Sequence, residues 1–287
     1  MKRVFIPVND RPECAIALHH GFSLGKRLKA NIVGCHIRTH RDSKVRVPSE
    51  TTNSNISIDS YDKAWERTLK ENDSDHIKAQ FLFKNIAKQF DYKLANRHRK
   101  KPHAKWQEKA GAPDKLFAIE GPISDLIIVS RPEKKGSSLA KTFVLNAVLK
   151  SSSPVLVLPQ KNVKSVGKRV CIAWNQSPEA MHAIKSSMPI IQQAESVSII
   201  TCGAEYRLGP KAKHILKYFR HWNIKARHIR VSSSSDKKAI LKGYKNTDSD
   251  LLIMGGYSRS RLRQLIFGGV TEYMLNKAQI PVLLVHK

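Results

Sequence analysis

Residues 169–184 read RVCIAWNQSPEAMHAI, and they align without a gap with residues 3–18, which read RVFIPVNDRPECAIAL. The identical pairs are Arg3/Arg169, Val4/Val170, Ile6/Ile172, Asn9/Asn175, Pro12/Pro178, Glu13/Glu179 and Ala17/Ala183. In both stretches a short apolar run is followed by a polar turn and then by a helical pattern. The repeated stretch therefore predicts a strand, a turn and a helix that occur twice in the chain.

Two further matches follow in the same order along the chain. SDLIIVSR (124–131) matches SDLLIMGG (249–256), and SPVLVLP (153–159) matches IPVLLVH (280–286). Chance similarity does not preserve the order of three separate blocks. Three collinear matches therefore predict a tandem duplication.

The duplication predicts two domains. We assign the first to residues 1–160 and the second to residues 167–287, with the short basic segment 160–168 as the linker. The first copy is about 40 residues longer between its first two matching blocks. We assign this extra chain to an insertion over about 41–100, which opens with the polar stretch 41–62.

Each copy alternates short apolar strands with helical patterns. In the second copy we predict strands at 169–174, 197–202, 225–231, 251–254 and 281–286, and helices at 178–194, 211–221, 260–277 and from Asp236. Strands of Val, Ile and Leu with little alternation are typical of a parallel sheet buried on both faces. The pattern predicts an α/β fold made of two tandem doubly wound parallel-sheet domains. We expect each copy to wrap its helices about its own sheet, and one sheet continuous through both copies would contradict that expectation.

The chain is strongly basic. Lys and Arg outnumber Asp and Glu by 51 to 23, which gives a net charge of +28. The excess is spread over the chain, and the one dense cluster is the run at 97–101. Spread positive charge attracts polyanions by counterion release without sequence preference. We therefore expect nonspecific polyanion binding, with a basic nucleic-acid-associated protein as an alternative function.

Composition and cysteine usage indicate the class and location of the protein. At 41% apolar and 26% charged residues the chain is in the globular range. No apolar run approaches the roughly 20 residues needed to cross a bilayer, so we expect no membrane partner. The first apolar run is too short for a signal peptide, and the four cysteines are isolated. These features predict a cytoplasmic protein with reduced thiols.

The candidate site lies in the second copy. Ligands of doubly wound sheets bind at the carboxyl ends of the strands, near the switch in strand order. This rule brings together the turns at 174–177, 202–204 and 255–258. Backbone N–H groups at glycines and at a helix N-terminus bind phosphate, so we predict a phosphate cradle from Gly255 to Gly269, with Arg259, Arg261 and Arg263 adding charge. Trp174 borders this cleft, where packing explains it as well as stacking on a base.

At these residues the chain resembles the universal stress protein family. Its members carry a strand, then G-x2-G-x9-G-(S/T), then a helix and a final PVLVV-like strand. Here the string is Gly255-x2-Ser258-x9-Gly268-Gly269, and PVLLV (281–285) ends the copy. The AWNQSPEA turn (173–180) also resembles the second domain of tandem members. The resemblance covers the whole chain. It implies that the two domains pack together as a pseudo-dimer, in the way that single-domain members form homodimers. A homodimer of the whole chain is a further expectation.

The resemblance also implies a cofactor, ATP or AMP. In ATP-binding members the acid after the first strand and the residue that ends the second strand hold the nucleoside, and the glycine string holds the phosphates. The implied nucleoside contacts are Ala173, Asn175 and Cys202. The implied phosphate contacts are Gly255, Ser258, Gly268 and Gly269, to which we add Arg259.

Several residues depart from the family pattern. Asn175 replaces the usual acid, Ser258 replaces the second glycine, and Gly269 replaces the Ser or Thr. In the first copy Pro132 removes an N–H donor and Glu133 adds negative charge. We therefore expect weak adenine-nucleotide binding in the second domain and none in the first.

The resulting hypothesis is a non-enzymatic stress-response or ligand-sensing protein without catalytic residues. The alternative from another class is an enzyme of the related adenine-nucleotide hydrolase fold. Asn9 and Asn175 stand where such an enzyme would need a metal-binding carboxylate, which argues against it. The cluster Cys35-His36-x3-His40 lacks a fourth ligand, so we expect no metal site.

Overall fold

The structure is a computed structural model that describes residues 1–9, 12–38, 75–97, 99–131, 138–161, 163–256 and 269–286. The strands are β1 Arg3–Pro7, β2 Asn31–Arg38, β3 Lys93–Leu94, β4 His103–Ala110, β5 Leu126–Ser130, β6 Val155–Leu158, β7 Arg169–Ala173, β8 Ser196–Cys202, β9 Ala226–Val231, β10 Leu251–Gly255 and β11 Val282–Val285. The helices are α1 Pro12–Leu28, α2 at 75–89, α3 Pro113–Glu120, α4 Ser138–Lys150, α5 Pro178–Ile191, α6 Ala212–Arg220, α7 Asp236–Asn246 and α8 Gly269–Asn276.

The described strands form one 11-stranded sheet, in the order β3-β4-β2-β1-β5-β6-β11-β10-β7-β8-β9. Neighbouring strands are parallel except β6 and β11, which are antiparallel. When each half is numbered separately and the two-residue β3 is left out, both halves have the order 3-2-1-4-5. Strand order therefore switches between β1 and β5 in the first half and between β7 and β10 in the second.

Helices cover both faces of this sheet. Buried side chains of α1, α2, α5 and α6 form a core on one face, and those of α3, α4, α7 and α8 form a core on the other. The strands contribute to both cores, because successive side chains point to opposite faces. The predicted α/β fold, with a doubly wound parallel sheet in each half, is confirmed.

The expectation that each half has a separate sheet was wrong. The two parallel sheets are joined edge to edge through β6 and β11, in the pairs Val157–Val282, Leu156–Leu283 and Val155–Leu284. The repeat in the sequence makes Leu156 and Leu283 equivalent positions, so the register is symmetric about this pair. Such a self-complementary contact is what a two-fold interface between identical subunits makes. The continuous sheet thus contains two equivalent halves in an intramolecular pseudo-dimer.

The two halves also begin in the same way. The carboxylate of Asp125 accepts a hydrogen bond of 2.9 Å from the backbone N–H of Arg3, at the start of β1. Asp250 accepts one of 2.9 Å from the backbone N–H of Arg169, at the start of β7. Both aspartates occupy the same position of the SD repeat, which gives the duplication a structural as well as a sequence basis.

The predicted elements of the second copy all occur, and where their ends are described they differ by at most three residues. The polar stretch 41–62 and the start of the helix predicted from 260 lie outside the described residues. The domain boundaries and the extent of the insertion remain predictions. No helix within the described ranges is both long and apolar enough to cross a bilayer.

Candidate functional site

A cavity of about 510 Å³ lies at the carboxyl ends of the strands of the second half. It is placed at the switch in strand order, between the ends of β7 and β10. Its described lining comes from five places: the β7–α5 turn, the end of β8 with the loop that follows it, the start of α7, the end of β10, and the first turn of α8. The predicted position of the site therefore coincides with a cavity of a size typical for small-molecule sites.

Five of the eight predicted binding residues line this cavity. They are Ala173, Asn175, Cys202, Gly255 and Gly269. The structure thus brings together residues from three strand ends and one helix start that are far apart in the chain. The other three, Ser258, Arg259 and Gly268, lie outside the described residues, as do Arg261 and Arg263.

The β7–α5 turn presents Asn175 to the cavity. Its Oδ1 accepts a hydrogen bond of 3.2 Å from the backbone N–H of Ser177. The Ser177 hydroxyl oxygen in turn accepts one of 3.1 Å from the N–H of Ala180, which caps the N-terminus of α5. The side-chain acceptor of Asn175 is therefore engaged within the turn, and its Nδ2 donates to no described residue.

Gly255 is required by close packing between β10 and α5. A Cβ at this position would lie 2.7 Å from the backbone nitrogen of Ala180, which real Cβ atoms do not approach so closely. By contrast, a Cβ at Gly269 would meet no atom within 4 Å. The first glycine thus lets the strand end and the helix start come together, whereas the second leaves open space at the start of α8.

Gln176 holds the loop that closes one side of the cavity. Its Nε2 donates to the carbonyl oxygen of Arg207 at 2.7 Å, and its Oε1 accepts from the backbone N–H of Arg207 at 3.1 Å. The Nε1 of Trp174 donates to the carbonyl oxygen of Pro210 at 3.0 Å. Sequence reasoning missed Gln176, because no local pattern marks a buried glutamine. Trp174 is buried, in keeping with a packing role.

The described lining of the cavity is more acidic than the chain as a whole. It contains three carboxylates, those of Glu179, Glu205 and Asp236, and one guanidinium, that of Arg207. The Oε1 of Glu205 accepts a hydrogen bond of 2.6 Å from the N–H of Ala212 at the start of α6. Glu179 and Asp236 therefore remain as acceptors for hydroxyl groups or cations. Neither was among the predicted site residues.

The thiol of Cys202 is poorly suited to covalent chemistry. Burial raises its pKa to about 11, and the nearby charge of Asp236 acts in the same direction. The Sγ also lies 3.7 Å from the backbone oxygen of Asp236, within reach of a weak hydrogen bond. The thiolate is the nucleophile, and a raised pKa leaves little of it at neutral pH. Cys202 therefore lines the cavity as an unreactive thiol.

The first half has a different residue where the second half begins its glycine string. By the repeat, Arg131 is equivalent to Gly256. Its buried guanidinium donates to the carbonyl oxygens of Leu275 and Met274 in α8 and of Ile280. Burial lowers the pKa of Arg131 to about 10. Arg131 thus links the two halves by hydrogen bonds. Pro132 and Glu133, which follow it in the sequence, lie outside the described residues.

The metal-like cluster of the sequence cannot be assembled from the described residues. The Nδ1 of His36 lies 3.1 Å from the carbonyl oxygen of Val8, and Cys35 is buried beside it. His40 lies outside the described residues. Within the described ranges, no three His, Cys, Asp or Glu side chains form a group that could hold a metal ion.

Comparisons with known proteins agree with this fold. The model of the Universal stress protein family matches residues 203–286. No curated protein gives a significant match.

Solved structures match over almost the whole chain. A universal stress protein from Archaeoglobus fulgidus has a TM-score of 0.69 at 15% identity, over 99% of this chain and 96% of that one. A Pseudomonas aeruginosa protein named for the same family has a TM-score of 0.52 at 11% identity, over 100% of this chain and 93% of that one. At such identities the likeness shows the fold alone. Residues 203–286 therefore match the model of the Universal stress protein family, within a chain that has the fold of the Archaeoglobus fulgidus universal stress protein along nearly its entire length.

Proposed function

We propose that this protein is a tandem universal stress protein that binds an adenine nucleotide in the cavity of its second half and acts as a sensor rather than as an enzyme. The observation that carries the proposal is the meeting of Ala173, Asn175, Cys202, Gly255 and Gly269 around one cavity at the switch in strand order. Doubly wound folds bind nucleotides at this place.

The described lining suits the nucleoside end of such a ligand. Ala173 and Cys202 offer apolar or weakly polar walls, and the Nδ2 of Asn175 offers a donor to a ribose hydroxyl, a group that can equally donate to a carboxylate at this position. The carboxylate of Asp236 can accept a hydrogen bond from a ribose hydroxyl, as acidic residues do in dinucleotide-binding folds. The nucleoside is thus recognised by neutral groups on one side and by an acceptor on the other.

The start of α8 suits the phosphate end. Gly269, Val270 and Thr271 line the cavity in the first turn of the helix. The first N–H groups of a helix have no partner within the helix, and its dipole favours negative charge there. Phosphate contacts from Ser258, Arg259 and Gly268 remain part of the proposal.

The direct test is calorimetry of the purified protein with ATP, ADP, AMP and adenosine, each with magnesium. We expect heat of binding with at least one nucleotide, together with a thermal shift of about 5 °C when the ligand is near 100 times its Kd. Absence of both signals with every ligand would contradict the proposal and leave the fold unaffected.

A matched pair of variants locates the bound nucleoside. Asn175→Asp keeps the Oδ1 acceptor that holds the turn but replaces the free donor by the acid that the family carries. We expect adenosine to bind roughly 5- to 10-fold more tightly, because a hydrogen bond to a charged acceptor is stronger. Asn246→Asp makes the same charge change at an exposed position away from the cavity. Equal effects of the two variants would show that adenosine does not contact Asn175.

One observation favours the rival enzyme. The carboxylates of Glu179 and Asp236 line the cavity, and either could add a ligand to a magnesium ion that is bound mainly by the phosphates of the nucleotide. A hydrolase would release AMP, ADP or phosphate from ATP with magnesium, and Asp236→Asn would abolish that release. A sensor binds the nucleotide without turnover. The cytoplasmic location and the role in stress response remain predictions.

A further inference from the structure

The positive charge of this protein is concentrated at the outer edge of the second half. Between residues 206 and 247 the chain contains 12 Lys and Arg and one acid, Asp236; elsewhere it contains 39 and 22. The segment comprises α6, β9 and α7. Helices α6 and α7 pack on opposite faces of the sheet at β9, which ends the described sheet. The charge is therefore not evenly spread, contrary to the expectation from the sequence.

One face of this region carries positive charge that no described acidic side chain pairs with. We define the edge surface by six exposed residues of α6 and its flanks: Lys211, Lys213, Lys217, Arg220, Lys225 and Arg230. No ion pair between described residues involves any of them. The nearest acid before them in sequence, Glu205, accepts a hydrogen bond from the N–H of Ala212, and the nearest acid after them, Asp236, lines the cavity. Within the part of the chain that the structure describes, the edge surface therefore presents positive charge that no ion pair compensates.

The arrangement on α6 is regular. Its buried side chains, Ala212, Ile215 and Phe219, pack on the sheet. Lys213, Lys217 and Arg220 follow one another at spacings of four and three, which places them in one stripe on the opposite face. Basic residues also protect open strand edges from pairing, which accounts for Lys225 and Arg230 beside and on β9. That explanation does not extend to a stripe on a helix, whose backbone groups are satisfied.

Two exposed aromatic residues flank α6 in the sequence, and the first of them, Tyr206, also lines the cavity. Trp222, just after α6, is 46% exposed, and Tyr206, in the loop before it, is 92% exposed. The ring of Trp222 lies 6.5 Å from that of Tyr218 at 61°. Proteins that bind single-stranded nucleic acid combine a basic track for the backbone with aromatic side chains on which bases stack.

We propose that the edge surface binds single-stranded nucleic acid, with phosphates along Lys213, Lys217 and Arg220 and a base stacked on Trp222. Charge complementarity selects a polyanion, and the exposed rings favour unpaired bases over a duplex, whose bases are stacked on one another. The proposal is independent of the nucleotide cavity.

The test measures fluorescence anisotropy of a labelled 20-nucleotide single strand of mixed sequence with the full-length protein over a range of salt concentrations. The variant Lys213→Ala/Lys217→Ala/Arg220→Ala should weaken binding at least 10-fold at low salt. It should also reduce the salt slope by about 2, since each phosphate contact contributes about 0.7 for single strands. The control Lys78→Ala/Lys84→Ala/Lys88→Ala removes the same charge from exposed positions of α2 and should bind like wild type.

A second pair of variants tests the stacking. Trp222→Ala should weaken binding roughly 5- to 100-fold without changing the salt slope, and Trp222→Tyr should restore most of it. Thermal melting of each variant confirms that the fold is retained.

Several outcomes would overturn the proposal. They are no binding of the single strand at low salt, equal losses for the two triple variants, and binding of the same sequence as a duplex that is as tight or tighter. Stronger competition by polyglutamate or by vesicles containing anionic lipid would instead assign the edge surface to an acidic protein or to a membrane.

Discussion

The Nε of Arg131 donates a hydrogen bond of 2.8 Å to the carbonyl oxygen of Leu275 across the boundary between the two halves. Its side chain is 3% exposed, and its Nη1 donates to the carbonyl oxygen of Ile280 at 2.9 Å. Leu275 lies in the last turn of α8, where the helix dipole favours a positive charge. The first turn of the same helix lines the cavity. A residue of the first half therefore holds the helix that bounds the candidate site of the second.

Arg131→Ala should lower the free energy of unfolding by about 2–4 kcal/mol, because it leaves buried carbonyl oxygens without donors. Urea denaturation measures the change. Arg220→Ala, at an exposed position of α6, is the matched control and should change it by less than about 0.5 kcal/mol. Equal losses from the two variants would show that the guanidinium of Arg131 contributes nothing specific.

Gly255→Ala should lower the free energy of unfolding by roughly 2–3 kcal/mol, because its new Cβ would lie 2.7 Å from a backbone nitrogen of α5. Gly269→Ala should change it little, since the same methyl group meets no atom within 4 Å. Thermal unfolding of both variants checks the contrast. A Gly255→Ala protein as stable as wild type would mean that β10 and α5 are not packed as described.

Gln176→Ala should release the loop after β8. The backbone N–H of Arg207 then loses its acceptor, which lowers the free energy of local opening by about 1 kcal/mol. Its hydrogen exchange should therefore become several-fold faster. The backbone φ of Gln176 is +63°, an uncommon conformation for a residue other than glycine, which the two hydrogen bonds help to maintain. Gln192→Ala, at the exposed end of α5, should leave exchange at Arg207 unchanged.

The Cys202 thiol should react slowly with iodoacetamide in the folded protein. With a pKa of about 11 rather than the ordinary 9.0, its thiolate fraction at pH 8 is roughly 100-fold smaller. The rate should then rise about tenfold per pH unit from pH 8 to pH 10. Asp236→Asn removes a neighbouring charge that raises the pKa, so it should speed the reaction. A plateau in rate near pH 9 would contradict the raised pKa.

Much of the second half could be predicted from local pattern. Its short runs of Val, Ile and Leu indicated buried parallel strands, and the spacing of the intervening apolar residues indicated helices, so the elements occur where expected. The cavity residues Ala173, Asn175 and Cys202 were implied by the resemblance to the universal stress protein family, whereas the general rule that ligands lie at strand ends gave only the turns around them. Glu179 and Asp236 did not, because each follows a strand end by several residues on a helix whose direction depends on packing.

The sequence by itself determined the duplication, the order of strands and helices, and the end of the sheet at which the cavity lies, because these follow from residues near one another in the chain or from repeated blocks. The tertiary structure alone decided that Leu156 meets Leu283 to make one sheet and that Arg131 holds α8. The physical reason is distance along the chain: Arg131 and Leu275 are 144 residues apart, and no local pattern of polarity records which buried donor will meet which carbonyl.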